Sequence, residues 1–200
     1  HSTENDAGSD AAQETIQIIT AQNERLSKLV KTLLDMSELQ TIMRNDKIEL
    51  FGLIEEVLTD LEPLALEKGI ALIQEPQDTT YDKEYIISNE LMLTGSDILI
   101  YRMLYNLVEN AIKYNHVNGK VIVSAKQTGN DIVITIADTG SGIDEAFREK
   151  IFEPFFRVDK SRSREIGGVG LGLAMVREIV RAHDGKIDVH QNAYGGTTFE

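Results

Sequence analysis

The sequence predicts an α+β protein, a two-layer sandwich with a mixed sheet and helices on one face, preceded by one long bundle helix. Three observations predict it. Apolar residues recur at heptad spacing through 12–39; two alternating segments, 120–126 and 131–137, flank a Gly129-Asn130 turn; and amphipathic helical runs are interspersed with short strands over the rest of the chain. Composition agrees, because 42% hydrophobic and 26% charged residues are those of a soluble globular domain, and 200 residues suffice for one full domain with an appendage.

Residues 1–11 are polar, small and aperiodic, and are read as disordered or as a cloning remnant. In 12–40, Ile19, Leu26 and Leu33 recur every seven residues, Leu29 and Met36 fall between them, and Ile16, Val30 and Leu34 widen the stripe. Such a stripe needs a partner. It packs either on its own domain or, as the heptads favour, in an inter-helix bundle of a dimer. Residues 41–46 form a polar linker, and 47–200 one further domain.

Within that domain, 47–50 reads as a strand, 51–68 as an amphipathic helix stopped by Gly69, and 70–74 as a strand. Residues 75–83 form a loop. The segments 85–87 and 91–93 alternate enough for a hairpin, and Ser96 or Asp97 can cap a helix over 98–115. After the 120–137 hairpin come a helix over 144–152, a polar stretch, a helix over 170–182, and strands at 186–190 and 197–200. No internal repeat is present.

Net charge of −13 argues against a nucleic-acid binder, because phosphate contacts need clustered Lys and Arg. The same excess repels a polyphosphate, so a site for one must be locally basic or supplied with a cation. Arg157, Lys160, Arg162 and Arg164 form the one basic stretch outside a helix. No apolar run approaches the ~20 residues of a membrane span. Absence of cysteine excludes disulfides and thiolate metal sites and fits a reducing compartment, which makes cytoplasm the default.

Four constellations carry chemistry. Asn106, Asn110 and Lys113 stand at i, i+4 and i+7, so two carboxamides and an ammonium share one helical stripe. Asparagine is an indifferent helix former, and two of them a turn apart cost stability unless their side chains have work to do. A neutral oxygen suits Mg²⁺ already shared with phosphates, and a lysine suits the phosphates themselves; the bland alternative is a solvated face. Next, Asp138-Thr-Gly140-Ser-Gly142-Ile143 follows an apolar strand. Its carboxylate can accept a hydrogen bond from an adenine amino group, with glycines allowing close approach. A plain tight turn is one rival; another is the Asp-Thr-Gly of aspartic proteases, for which a single copy would require a homodimer.

Third, Gly167-Gly168-Val169-Gly170-Leu171-Gly172-Leu173 opens a helix, where exposed backbone N–H groups and the dipole favour phosphate. It is neither a dinucleotide fingerprint nor a Walker loop. Fourth, Phe152-Glu-Pro154-Phe155-Phe156-Arg157 is either core or the anchor of a hinge from which 158–166 moves over a ligand as a lid.

In this order the segments resemble a known family. Asn106 to Tyr114 resembles the N box of bacterial sensor histidine kinases, Asp138 to Gly142 the first glycine box, Phe152 to Arg157 the phenylalanine box, and Gly168 to Leu173 the second glycine box. Gly195-Gly-Thr197-Thr-Phe199 looks like the closing strand motif, and the helix near Glu24-Arg25-Leu26 and Leu33-Leu34-Asp35 is similar to the second helix of the dimerisation and phosphotransfer hairpin. The resemblance implies a Bergerat ATP-binding sandwich, shared with type II topoisomerases and Hsp90 chaperones. It implies that Asn110 binds Mg²⁺, Asn106 supports it, Lys113 contacts phosphate, Tyr114 lines the pocket, Asp138 recognises adenine, Gly140 and Gly142 permit its approach, and Gly168, Gly170 and Gly172 meet the phosphates. Ile143, Phe155, Arg157, Lys160, Val169, Leu171, Leu173 and Thr197 complete the nucleotide surroundings. Glu109 has a less certain role.

Topoisomerase-type relatives place a water-activating glutamate where Asn106 stands, so this chain is expected to transfer phosphate rather than hydrolyse ATP efficiently. The family's phospho-acceptor motif, similar to Ser-His-Glu-x-Arg-Thr-Pro-Leu, is absent here; His1, His116, His183 and His190 read as structural or solvated. The resemblance therefore implies a chain that binds Mg·ATP without phosphorylating itself. In the intact protein it implies a homodimer whose own histidine helix receives the γ-phosphoryl and passes it to a response regulator receiver domain. It further implies the cytoplasmic portion of a membrane-bound sensor, this part touching neither membrane nor nucleic acid. The alternative is a nucleotide-binding module of the same fold that signals by lid closure without transferring phosphate.

Overall fold

The computed structural model describes residues 15–16, 19–20, 22–23, 26–27, 30, 34, 37, 39, 41–75, 91–158 and 169–200. The predicted strand at 85–87, the basic residues Lys160, Arg162 and Arg164, Gly167 and Gly168, and the heptad positions Leu29, Leu33 and Met36 lie outside them.

The described residues from 15 to 37 are helical. Ile16, Ile19, Leu26, Val30 and Leu34 of the predicted stripe are exposed, so this chain alone does not cover it. At the helix's end Leu39 is 5% exposed and joins the core of the domain that follows, with Ile42 packed against that core. Arg44 Nη1 donates to the Leu39 carbonyl at 3.4 Å, which ties the linker back to the helix end, while Met43 of the linker is exposed.

The first strand, β1 (Asp46–Glu49), runs into helix α1 (Leu50–Lys68) with no loop. Glu49 makes the junction abrupt: its carboxylate accepts from the amides of Phe51 and Gly52, which satisfies two orphan donors of the first turn, and so Leu50 belongs to the helix rather than to the predicted strand. Gly69, in the left-handed conformation, ends α1 where the sequence placed the stop. Strand β2 (Ala71–Gln74) follows, and later β3 (Met92–Gly95) pairs antiparallel with β1.

Helix α2 (Asp97–Lys113) is the centre of the molecule, burying Leu99, Ile100, Met103, Leu104, Leu107, Val108, Ala111 and Ile112 against α1, α3 and the sheet. Of the two predicted caps, Asp97 has become the first helical residue, its Oδ1 accepting from the Ile98 amide at 2.6 Å, and Ser96 stands at the cap position. Ser96 makes no capping bond; the Asp97 amide is instead taken by Asp46 Oδ2, and the Ser96 amide donates to His183 Nε2 at 3.1 Å. The long hairpin β4 (Lys120–Thr128) and β5 (Asp131–Asp138) turns at Gly129 as predicted.

The predicted helix over 144–152 is two 3₁₀ turns, Glu145–Phe147 and Lys150–Phe152. Aromatic anchors on both sides set this spacing: Phe147 packs on Phe156 with centroids 6.0 Å apart, and Phe152 stands edge-on to Phe199 at 6.4 Å. Helix α3 (Gly172–Ala182) then starts two residues later than predicted because Gly170 is left-handed at φ 79°. Strands β6 (Val189–Gln191) and β7 (Thr197–Phe199) close the chain.

The main sheet has the order β2-β4-β5-β7-β6, with β2 parallel to β4 and every other pair antiparallel. Its inner face, Val121, Val123 and Ala125 of β4 with Ile136 and Asp138 of β5, is buried, and α1 and α2 pack on these strands. The mixed-sheet sandwich with helices on one face is thus present, with β1 and β3 as an added ribbon. Among the described residues no helix is long and apolar enough to cross a membrane.

Candidate functional site

Four of the sequence constellations meet along one side of α2 and the end of β5. At the phosphate-type end, the N-terminus of α3 stacks on the amide stripe: a Cβ on Gly172 would stand 2.7 Å from Asn106 Oδ1. Asn106 itself is held by its Nδ2, which donates to the Arg102 carbonyl at 2.7 Å, so its oxygen is left facing the glycine. Leu171, at the N-cap position, has no side chain to satisfy the first amides of α3. Val169 and Leu173 are half-buried beside the buried Leu171.

One turn on, Asn110 is half-buried, and among the described residues its carboxamide has no hydrogen-bond partner. Lys113 is not an unattached hand for a ligand. Its ammonium pairs with Glu109 Oε1 at 2.7 Å in a site where both side chains are about one-sixth exposed, which gives Glu109 a definite structural part.

At the other end of α2 lies the Asp138 turn. Asp138 is 7% exposed, and its Oδ1 accepts from the amides of Gly140 (2.8 Å) and Thr197 (3.1 Å). Burial pushes its carboxyl above the ordinary range, while the Thr197 amide, the Gly140 amide, the Thr197 hydroxyl and His116 pull it back. A Cβ on Gly140 would stand 2.5 Å from the Tyr114 carbonyl, so the turn presses on the C-terminus of α2; Tyr114's own ring is half-exposed. Gly142, at φ 70°, touches the Gly195 carbonyl in the same way, at 2.6 Å. The glycines that the sequence assigned to ligand approach are therefore first required by chain-on-chain approach. Ile143 is half-buried against the core, and Thr197 is buried.

The phenylalanine segment is tied to the glycine turn. Phe155 donates its amide to the Gly170 carbonyl at 2.8 Å, and a Cβ on Gly170 would stand 2.8 Å from the Phe156 carbonyl. Phe155 takes φ 67° and leaves its ring 57% exposed, whereas Arg157 is half-buried.

Asn192 escaped the sequence reading, and Gly196 entered it only as part of the closing motif. Asn192 Nδ2 donates to the carbonyls of Asp138 (2.8 Å) and Thr197 (3.1 Å), and its Oδ1 accepts from the amides of Tyr194 and Gly196. A Cβ on Gly196 would stand 2.1 Å from the Asp138 carbonyl. The signal for the role of Asn192 was faint: an asparagine three residues before a Gly-Gly-Thr run is a turn-forming pattern found in many loops.

From Asn106 to Tyr114 is eight residues, roughly 12 Å along the helix axis at 1.5 Å per residue. One end offers the opening amides of α3 and two carboxamide oxygens, the other a buried carboxylate. Among the described residues no group of three His, Cys, Asp or Glu could hold a metal by itself, so a cation here would draw further ligands from its anion. Asn110's neutral oxygen fits that donor chemistry. A hollow of about 460 Å³ beside Gly69 and Val117 borders the C-terminal end of α2 at Asn115, and one of about 350 Å³ lies between α1 and β2.

Comparison with known proteins agrees with this geometry. The family model described as Histidine kinase-, DNA gyrase B-, and HSP90-like ATPase matches residues 95–200. The sensor-like histidine kinase SenX3 of Mycolicibacterium smegmatis is 31% identical over 193 residues, which are 95% of this chain and 47% of that protein. The solved catalytic domain of histidine kinase ThkA, free of nucleotide, superposes with a TM-score of 0.65 at 28% identity, covering 78% of this chain and 93% of that one. ThkA solved in complex with the response regulator TrrA gives a TM-score of 0.71 at 26% identity, over 94% of this chain and 49% of that one. The chain spans less than half the length of the curated relatives it matches.

Proposed function

The chain belongs to the family of histidine kinase-, DNA gyrase B- and HSP90-like ATPases, and from that premise we propose that it is the catalytic ATP-binding domain of a sensor histidine kinase, with part of the phosphotransfer helix before it. The division is 12–40 for that helix, 41–46 for the linker and 47–200 for the catalytic domain. The observation that carries the reading is the seam along α2, where the start of α3 lies on Asn106 and the Asp138 turn on Tyr114.

In this reading Asp138 accepts from the exocyclic amine of adenine, Tyr114 and Ile143 flank the base, and Thr197 holds the carboxylate. The amides that open α3, from Gly170 to Leu173, meet the phosphates with the helix dipole behind them. Asn110 supplies a neutral oxygen to Mg²⁺, supported by Asn106; the ion would neutralise charge on the phosphates. Lys113 reaches phosphate on leaving Glu109, and Arg157 and Lys160 add positive charge in an otherwise acidic chain. Asn106 cannot act as a base toward water, so the site favours phosphoryl transfer to a histidine over hydrolysis. Catalysis rests on positioning and charge neutralisation.

The acceptor histidine, the dimer and the receiver domain belong to the longer protein, taken to be a membrane sensor with this part in the cytoplasm. The experiment mixes this chain with Mg·ATP and a separate helical hairpin bearing the family's histidine motif. Phosphohistidine on the hairpin, and none on this chain alone, is the expected result. Tight binding of ATP with no transfer would refute the kinase reading in favour of a signalling module.

A further inference from the structure

The Asp138 carboxylate is built to be asymmetric. Both backbone amides that reach it fall on Oδ1, and no described backbone amide donates to Oδ2. One of those amides, Thr197, opens β7 and pairs with Gln191 of β6, but β5 does not hold it: the pairing of β5 with β7 covers only Ile136↔Phe199 and Ala137↔Thr198 and stops before Asp138. Asn192 takes over where the ladder ends. Its amide bridges the Asp138 and Thr197 carbonyls and reaches Thr198 Oγ1 at 3.3 Å, while its oxygen gathers the Gly196 and Tyr194 amides. The fit has no slack, because Gly196 lies so close to the Asp138 carbonyl that even a Cβ would clash.

We infer that Asn192 is a positioning residue for base selectivity: by clamping the β6–β7 turn to the end of β5 it keeps the Thr197 amide on Asp138 Oδ1 and the other oxygen available as an acceptor. The inference rests on the adenine reading of Asp138 and deepens it. An ionised carboxylate accepts from an exocyclic amine and repels a carbonyl at the same place; a neutral carboxyl can donate to that carbonyl. Selectivity for adenine over guanine then follows the ionisation of Asp138, which depends on the amides Asn192 keeps in place. His116 stands near enough to pull the Asp138 carboxyl back toward its ordinary range. The elements packed around it also carry Glu109 paired with Lys113 on α2, Lys120 beside its β4 partner Val121, His190 on β6 and Tyr194 on the turn.

The test uses the full 200-residue chain and calorimetric dissociation constants for Mg·ATP and Mg·GTP from about pH 4, just above the ordinary carboxylate value, to pH 8. In the wild type the preference for ATP should weaken as pH falls and Asp138 takes up its proton, followed independently by the Asp138 carboxyl carbon-13 shift. Asn192→Asp keeps the acceptor for Gly196 and Tyr194 but cannot donate to Asp138 or Thr197. It should lose roughly tenfold in ATP-over-GTP preference, about one charge-assisted hydrogen bond, and shift the pH profile upward. Asn192→Gln, which retains both donor and acceptor, should recover part of the preference. A folded Asn192→Asp chain with the wild-type ratio and profile, or a wild-type ratio that stays flat while Asp138 titrates, overturns the inference while leaving the ATP reading intact. Absence of any nucleotide binding in the wild type overturns that reading and this inference together.

Discussion

Gly195 and Gly196 are adjacent glycines needed for opposite reasons, and alanine at each separates them. At Gly195 the backbone is left-handed, φ 83°, and a Cβ would meet nothing within 4 Å. The strain of about 1–2 kcal/mol is partly offset by the 0.4–1 kcal/mol gained from restricting the unfolded chain, leaving a net loss of roughly 0.5–1 kcal/mol. At Gly196 the problem is space: a Cβ would stand 2.1 Å from the Asp138 carbonyl and 2.7 Å from its Oδ1, against an ordinary contact of 3.4 Å or more. The turn must retreat by more than 1 Å, which breaks the Asn192 bond to Asp138 and the Thr197 bond to its carboxylate. Overpacking of about 1–3 kcal/mol with a lost bond of about 1 kcal/mol predicts a net cost of roughly 3 kcal/mol. Urea unfolding of both variants gives the stabilities, and calorimetry with a non-hydrolysable ATP analogue gives the affinities. Gly195→Ala should bind the analogue as the wild type does, whereas Gly196→Ala should not. Equal losses of stability, or wild-type affinity in Gly196→Ala, would refute the argument that the turn is registered on Asp138.

Asp138→Asn keeps an oxygen for the two amides and removes the buried charge. Because the folded-state pKa of Asp138 is raised, its stability contribution is complete below its ordinary 3.8 and is lost as pH rises through the raised value. The variant should therefore match the wild type near pH 4 and exceed it at pH 7 in thermal unfolding, while adenine binding falls. Asn110→Ala should remove the Mg²⁺-dependent part of stabilisation by the analogue; a tenfold weaker complex lowers the melting shift by roughly 3–6 °C at saturating ligand, and an unchanged shift would unseat the metal assignment. Tyr101, whose hydroxyl donates to Asp60 across α1 and α2, also has its pKa raised, first by burial and then by that bond. Tyr101→Phe should lose about 1 kcal/mol in urea unfolding at neutral pH without changing nucleotide affinity.

Where the sequence was legible, the physics was local. Gly69 ended α1 and Gly129 turned the hairpin because both glycines take left-handed backbone at a periodicity break. The α2 stripe was readable from spacing alone. It was tertiary packing that hid the rest. The segment around 144–152 has a helix-like composition, yet Phe147 and Phe152 are drawn to different aromatic partners and the run breaks into two tight turns. Ser96 looks like a cap, but its amide goes to His183, 87 residues away. The pairing of Lys113 with Glu109 at 2.7 Å, by contrast, is a local i,i+4 contact that the spacing allows. Asn192 acts through carbonyls and amides that belong to other segments, and no spacing rule reveals such a partner.

The burial of Leu39 bears on how the protein can be divided. A cut at the end of the polar stretch after it would remove an apolar plug from the domain's interior and take Ile42 away with it. Shortened pieces starting at residue 47 should thus be stickier and less stable than pieces starting a full turn upstream of Leu39. Any tilt of the preceding helix would in turn pull directly on the catalytic body, since the joint has an inserted side chain rather than a length of loose cord.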